Sequence, residues 1–228
     1  QCCSHNADHG DLRKEGGERP MRMPLLFLSY GNSMIYAFGT AFFATLIAIP
    51  TGYALARWKS IWMKILFWCC VVLLFLPFQV TMLPQYILLD FAGLLDTRWA
   101  ILLPGMVSPL PILILWMGNR RVPWEYEDAF LLESSSLFSY FRFVLLPDLG
   151  GVAAAAFAIT FLLNWNLVDA ALIFLKDRAL WPLSLVLLEQ EGRTRQYYVM
   201  LDMLPVLVGM VVLYVLMKKK IRSKCVSG

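Results

Sequence analysis

The chain has 228 residues, of which 59% are hydrophobic, and its mean hydropathy is +0.63. Soluble domains contain about 45 to 50% apolar residues, so this composition excludes an ordinary soluble domain and predicts an all-α integral membrane protein. The formal net charge of +4 comes from Lys and Arg beside the apolar runs. No basic face with interleaved aromatic residues occurs outside these runs, which excludes nucleic acid as a partner.

The N-terminal part of the chain, residues 1–31, is predicted to be a flexible polar tail. It begins with charged and polar residues and lacks the apolar segment that a signal peptide needs. Its short apolar stretch, residues 23–30, is too short to cross a bilayer. His5, Asp8 and His9 do not supply the four ligands of a structural metal site, so no metal is expected.

Five later runs are apolar and long enough to span a membrane, which requires about 20 residues at ~1.5 Å each. The second run is interrupted by Pro77 and Pro84, and prolines at membrane depth are typical of segments that line a pathway. The fourth run opens with small residues, GGVAAAA, which favour close helix packing. The predicted spans are residues 33–56, 65–89, 99–119, 150–175 and 197–217.

Between the third and fourth spans lies an acidic and aromatic segment, residues 123–147. Each of its charged residues would cost ~2.5 to 3.5 kcal/mol near the centre of a spanning helix, so the segment stays on one side of the membrane. Pro123 suits the first turn of a helix, and the serines at 134–136 supply a break and a new cap. We therefore predict a helix, a turn and a second short helix that ends at Pro147.

The distribution of Lys and Arg indicates on which side of the membrane each loop lies. With five crossings, the side that carries the central segment holds eleven basic residues and the opposite loops hold five. The excess of positive charge places the central segment in the cytoplasm. The eleven are Arg57, Lys59, Lys64, Arg120, Arg121, Arg142, Lys218, Lys219, Lys220, Arg222 and Lys224.

The central segment resembles the cytoplasmic EAA loop of ABC importer permeases, whose pattern is roughly E-x-x-x-A-x-x-x-D-G-A-x-x-x-x-F-x-x-I-x-L-P. The matching positions include Glu133 in place of the usual Asp and Ser134 in place of the usual Gly. Ser at a turn that needs positive φ costs on the order of 1 kcal/mol. In this family the loop docks on a separate ATPase subunit. The coupling residues that the resemblance implies are Glu125, Asp128, Ala129, Glu133, Ser134, Ser135, Leu137, Phe138, Phe141 and Pro147.

Shorter matches in the same order extend the resemblance over most of residues 32–224. They are GLLDT at 93–97, similar to the family's G-L-x-N-T; NWN at 164–166, similar to its W-N; and LPV at 204–206, similar to its L-P. Sugar permeases of the maltose type usually have six spans, and the match begins at the second. We therefore expect an N-terminally incomplete permease domain, residues 32–224, with its coupling loop at residues 120–148.

The resemblance implies a multi-pass subunit of the bacterial plasma membrane that imports a carbohydrate by alternating access. Its implied partners are a second permease subunit, two ATPase subunits, an extracytoplasmic solute-binding protein and membrane lipid. The chain has no phosphate-binding G-x-x-x-x-G-K-[ST] motif and no H-E-x-x-H or G-x-S-x-G motif. It is therefore expected to be no enzyme and to bind no cofactor itself, with ATP used by a partner.

Polar residues within the spans are the candidates for a translocation path: Gln79, Thr81, Gln85, Asn164, Trp165 and Asn166. Amides and an aromatic ring suit a hydroxyl-rich solute such as a sugar. For the Gln and Thr positions, hydrogen bonding between helices is an equal alternative. Two other functions stay open, import of another small solute such as an amino acid or polyamine, and a membrane scaffold that transports nothing.

Overall fold

The structure, a computed structural model, describes residues 23–58, 60–123, 125, 128, 130, 132, 137–189, 199–200, 202–211 and 214–215. None of these residues lies in a β-strand. Three helical stretches among them are long and apolar enough to cross a membrane, Leu26–Arg57, Trp99–Asn119 and Leu146–Trp165, and a sharply bent pair makes a fourth if it counts as one span. The all-α membrane fold predicted from the sequence is confirmed.

Helix α1 (Met23–Arg57) is the central helix, and the helices of the third and fourth spans pack on it. Its inner face carries Ala37, Ala41, Ala44 and Ala48, each almost completely buried. Such small residues let helix backbones approach closely in lipid. The helix begins at Met23, so the last part of the predicted tail is helical instead. The helix is longer than the predicted span because the apolar residues 23–30 continue the run across Gly31.

The second predicted span is not one straight helix. It forms α2 (Ile61–Phe75) and α3 (Phe78–Phe91), which meet at an angle of 110°. Pro77 precedes α3 with extended backbone, φ −64° and ψ 147°, and its ring excludes the hydrogen bond that would continue α2. The third span has a shorter interruption without a sharp bend: residues 107–108 separate α4 (Trp99–Met106) from α5 (Pro109–Asn119), with Pro109 in the first turn of α5.

The prediction that the second short helix ends at Pro147 is wrong. Helix α6 (Leu137–Tyr140) continues through a π-helical turn (Phe141–Leu145) into α7 (Leu146–Trp165), and Pro147 lies in the first turn of α7. The N–H of Leu146 donates to the carbonyl of Phe141, five residues back. The wider π turn makes room for the proline ring, which lacks an N–H, and helical backbone continues past it.

The fourth predicted span, 150–175, ends earlier than expected because α7 stops at Trp165. Two short helices follow, α8 (Asp169–Phe174) and α9 (Leu183–Glu189), with a 3-10 turn at Arg178–Leu180 between them. Buried residues of α9, among them Leu183 and Leu187, pack against Leu26 of α1. The fifth predicted span is described in part, and contains the apolar helix α10 (Asp202–Val211).

Candidate functional site

A cavity of about 310 Å³ lies where three helix interruptions meet. It is bordered by the bend between α2 and α3, the break between α4 and α5, and the C-terminal end of α7. Its polar side chains are Thr81, Gln85, Ser108 and Asn164, and no Asp, Glu, Lys or Arg is among its described lining residues. The fold thus brings three of the predicted path residues together and adds Ser108.

Gln85 differs from its polar neighbours in its hydrogen bonding. The Thr81 hydroxyl donates to the Phe78 carbonyl at 3.0 Å, and Asn164 Nδ2 donates to the Thr160 carbonyl at 2.8 Å, both within their own helices. Gln85 Oε1 is buried and accepts no hydrogen bond from any described residue. A buried acceptor without a donor costs ~1 to 3 kcal/mol. This oxygen is therefore available to a hydroxyl or N–H group that enters the cavity.

Helix α1 supports the cavity wall through Gly105 of α4. A methyl group at Gly105 would lie 2.5 Å from Cγ2 of Thr40 and 3.7 Å from Oδ1 of Asn164. Only glycine permits this separation, because real side-chain carbons do not approach so closely. The wall beside Asn164 is therefore in direct contact with α1.

The other predicted path residues do not line this cavity. Gln79 and Asn166 are exposed, and Trp165 is completely buried on another side of α7. The Trp165 indole N–H donates to the backbone carbonyl of Asp202 at 3.0 Å and to its carboxylate at 2.9 Å. Successive helical residues point about 100° apart, so three adjacent residues cannot face one cavity.

Sequence reasoning missed Ser108. It is an uncharged polar residue immediately before Pro109, at the break within the third span. The signal was the sequence Ser-Pro-Leu-Pro inside an apolar run, because polar groups and prolines together mark irregular backbone that lines a cavity.

The described part of the coupling loop exposes both polar and apolar side chains, and the exposed apolar ones include Leu132, Phe143 and Leu146. Glu125 and Asp128 are helical and exposed, and Leu132 is 90% exposed. Ala129, Glu133, Ser134 and Ser135 lie outside the described residues. Leu137 and Phe138 lie in α6, and only the backbone of these two residues is described. The predicted roles of these residues stay predictions.

Aromatic contacts join the coupling loop to α1. The ring of Tyr53 in α1 lies 4.7 Å from the ring of Phe141 and 6.3 Å from that of Tyr140, measured between centroids. Phe130 lies 5.8 Å from Tyr140, which follows the predicted turn in sequence. Edge-to-face and tilted ring pairs are each worth ~0.5 to 1.5 kcal/mol beyond their burial. The coupling loop and the C-terminal end of α1 are therefore in direct contact.

At the opposite end of α1, two further contacts fix the loops. Asp96 has a left-handed backbone, φ 58°, and its Oδ1 accepts hydrogen bonds from the backbone N–H groups of Lys176 and Asp177, both at 2.8 Å. Asn32 donates to the Ala179 carbonyl at 2.7 Å, and the Ser33 hydroxyl accepts from the Leu183 N–H at 2.8 Å. Asp96 lies in the GLLDT match, and Asn32 is the first residue of the stretch over which the resemblance extends.

The sequence is similar to permease proteins of bacterial transport systems. It is 30% identical over 172 residues to the lactose transport system permease protein LacG of Rhizobium radiobacter, which covers 75% of this chain and 58% of that protein. It is 26% identical to the arabinooligosaccharides transport system permease protein AraQ of Halalkalibacterium halodurans, covering 68% of this chain and 56% of that protein. The chain thus spans a little over half the length of these relatives. No family model matches it.

Solved structures show the same fold. A bacterial ABC transporter involved in the import of the acidic polysaccharide alginate matches with a TM-score of 0.75 at 16% identity, covering 86% of this chain and 76% of that one. The MetNI methionine ABC transporter matches with a TM-score of 0.59 at 15% identity, covering 88% of this chain and 94% of that one. Together with the sequence similarity, these matches confirm the resemblance: this multi-pass protein of the bacterial plasma membrane is similar in sequence to permease proteins of sugar transport systems and shares the fold of ABC importer permeases.

Proposed function

We propose that this chain is a membrane-spanning subunit of an ATP-driven importer for a carbohydrate, and that it moves the solute by alternating access. ATP is hydrolysed by two separate ATPase subunits, a second permease completes the pathway, and an extracytoplasmic binding protein delivers the solute. The permease proteins named for lactose and arabinooligosaccharide transport support this assignment.

The observation that carries the proposal is that one helix, α1, contacts both the coupling loop and the wall of the cavity. Tyr53 of α1 packs on Phe141 of the coupling loop, and Thr40 of the same helix packs on Gly105 at the cavity wall. Thirteen helical residues separate these contacts, a distance of about 20 Å. A displacement of the coupling loop by the ATPase subunits would move α1 and so change the cavity between outward- and inward-facing arrangements.

The chemistry of the cavity favours a neutral, hydroxyl-rich solute. Its described polar groups are two amides and two hydroxyls, which donate and accept hydrogen bonds without carrying charge. An acidic amino acid would require a cation and a polyamine would require several carboxylates, and no charged group is among the described lining residues. A carbohydrate is therefore the better match to the described residues.

The coupling loop has the surface that docking on an ATPase requires. The exposed Leu132 supplies an apolar anchor, and the exposed Glu125 and Asp128 supply polar contacts around it. A buried apolar anchor with a polar rim is the usual composition of a protein interface. The family resemblance implies that Ala129, which lies outside the described residues, permits close approach of the two subunits.

The test is reconstitution of the chain in proteoliposomes with its co-encoded partner subunits and binding protein. Uptake of radiolabelled saccharides, beginning with lactose, and ATP hydrolysis are measured together. Ala129→Arg is expected to abolish uptake and leave ATP hydrolysis unlinked to it, whereas Ala129→Gly, the small control, retains coupled transport. Unchanged uptake with Ala129→Arg would count against docking of the loop, and no ATP-dependent accumulation of any solute by the wild type would favour the scaffold function.

A further inference from the structure

A pocket of about 360 Å³ opens between three helix ends, the C-terminal ends of α1 and α5 and the N-terminal end of α2. These ends lie on the same side as the coupling loop, so the pocket is at the cytoplasmic surface of the membrane. Its lining includes two cations, Lys64 and Arg120, and three indole rings, Trp58, Trp68 and Trp116. Tryptophan is enriched at the level of the lipid headgroups.

An apolar groove of about 680 Å³ adjoins this pocket and follows one face of α2. It begins at Ile61 and reaches Leu73, and it shares Lys64 and Trp68 with the pocket. Lys64 and Trp68 are four residues apart and lie on the same helical face. The groove therefore leads from the cations at the cytoplasmic surface toward the hydrocarbon core.

The two cations are uncompensated in the described part of the protein. No Asp or Glu is among the described residues that line the pocket or the groove, and neither Lys64 nor Arg120 forms an ion pair with a described carboxylate. The Arg120 guanidinium lies over the Trp116 ring, 5.2 Å from its centroid. This contact holds the guanidinium at the pocket and leaves its N–H donors available for an anion.

We propose that the pocket and the groove together bind one anionic phospholipid of the cytoplasmic leaflet. The phosphate group lies between Lys64 and Arg120, the indole rings contact the glycerol region, and one acyl chain follows α2 along the groove. Basic pockets between membrane helices on the cytoplasmic side are suited to acidic headgroups, and a zwitterionic lipid lacks the net charge to compensate two cations. The lipid would thereby bridge α1, α2 and α5 close to the start of the coupling loop.

The purified chain, placed in nanodiscs with equal amounts of phosphatidylglycerol and phosphatidylcholine, provides the test. Lipid that stays bound after release from the nanodisc is measured by native mass spectrometry. The wild type is expected to retain phosphatidylglycerol in preference to phosphatidylcholine. Each cation near an acidic lipid surface contributes about a fivefold preference, so Lys64→Gln with Arg120→Gln should reduce that preference by about 30-fold.

The matched control replaces two exposed cations at the opposite membrane surface, Arg98→Gln with Lys176→Gln, and should retain the wild-type preference. A charge-preserving pair, Lys64→Arg with Arg120→Lys, should retain most of it and remains informative if the neutral pair does not fold. Equal retention of the two lipids by the wild type would overturn the proposal. So would a complex of two chains, without bound lipid, that the Lys64→Gln and Arg120→Gln changes dissociate, because the surface would then be a protein interface.

Discussion

Trp165 donates its indole N–H to the carboxylate of Asp202 at 2.9 Å, and the two residues are 0% and 6% exposed. This hydrogen bond joins α7 to α10 across a separation of 37 residues in the chain. It gives Trp165, a candidate path residue on sequence grounds, a position in the packing between helices.

Trp165→Phe is therefore expected to lower the free energy of unfolding in detergent by ~1 to 2 kcal/mol, because it leaves a buried carboxylate without its donor. The matched control is Trp62→Phe, since Trp62 is 73% exposed and the same chemical change there removes little packing. Equal effects of the two substitutions on equilibrium unfolding would contradict the importance of the Trp165 hydrogen bond.

The spans could be predicted from the sequence because long uncharged runs have few alternatives to membrane helices. The bend at Pro77 could be predicted as an interruption, but its angle depends on packing of α3 against α8, where Phe78 lies near Phe174. Continuation of the helix past Pro147 depends on the π turn, which hydropathy does not encode.

The sequence identified the types of residue at the candidate site, but it did not give the directions in which their side chains point. Asn164, Trp165 and Asn166 are adjacent polar or aromatic residues at the end of a span, and sequence alone does not give the rotation of α7. The structure directs Asn164 to the cavity and Trp165 to Asp202. The rotation is fixed by contacts distant in sequence, such as Gly118 of α5 against Val152 of α7.

Gly52 allows α1 and α5 to cross closely. A methyl group there would lie 2.9 Å from the backbone nitrogen of Trp116, so Gly52→Ala should separate the helices and cost ~1 to 3 kcal/mol in the free energy of unfolding. At Gly150 nothing lies within 4 Å of such a methyl, and Gly150→Ala should gain up to ~1 kcal/mol from helix propensity. Thermal unfolding of both variants measures whether the two changes in stability have opposite signs. A loss of stability in both variants would disagree with this packing.

Asp96 fixes the loop after α3 to the segment after α8 through two backbone hydrogen bonds. Asp96→Ala removes the single oxygen, Oδ1, that accepts both hydrogen bonds, and should cost ~1 to 3 kcal/mol. Asp96→Asn keeps one acceptor oxygen and tolerates the left-handed backbone, so it should cost less than Asp96→Ala. Limited proteolysis of residues 175–178 would report the release of this segment, and equal cleavage of wild type and Asp96→Ala would show that the contact is dispensable.

Tyr53 is expected to transmit movement from the coupling loop to α1. Tyr53→Ala removes ring pairs with Tyr140 and Phe141, each worth ~0.5 to 1.5 kcal/mol, and should reduce solute imported per ATP about tenfold or more. Tyr53→Phe keeps the ring and should retain most of the coupling. The ratio of uptake to hydrolysis in proteoliposomes distinguishes them, and full coupling in Tyr53→Ala would exclude this route of transmission.

Substitution of Gln85 is expected to lower transport efficiency without lowering the stability of the protein. Its buried Oε1 has no donor among the described residues, so Gln85→Leu should leave the free energy of unfolding unchanged or raise it. If the amide bonds a hydroxyl of the solute, the same change should lower the transport efficiency, kcat/KM, by about two- to tenfold, the equivalent of one neutral hydrogen bond. Gln79→Leu is the matched control, because Gln79 lies in the same helix but is exposed and outside the cavity. Uptake kinetics and equilibrium unfolding are measured on both variants. A loss of stability in Gln85→Leu with unchanged uptake would assign this amide to helix packing and remove it from the translocation path.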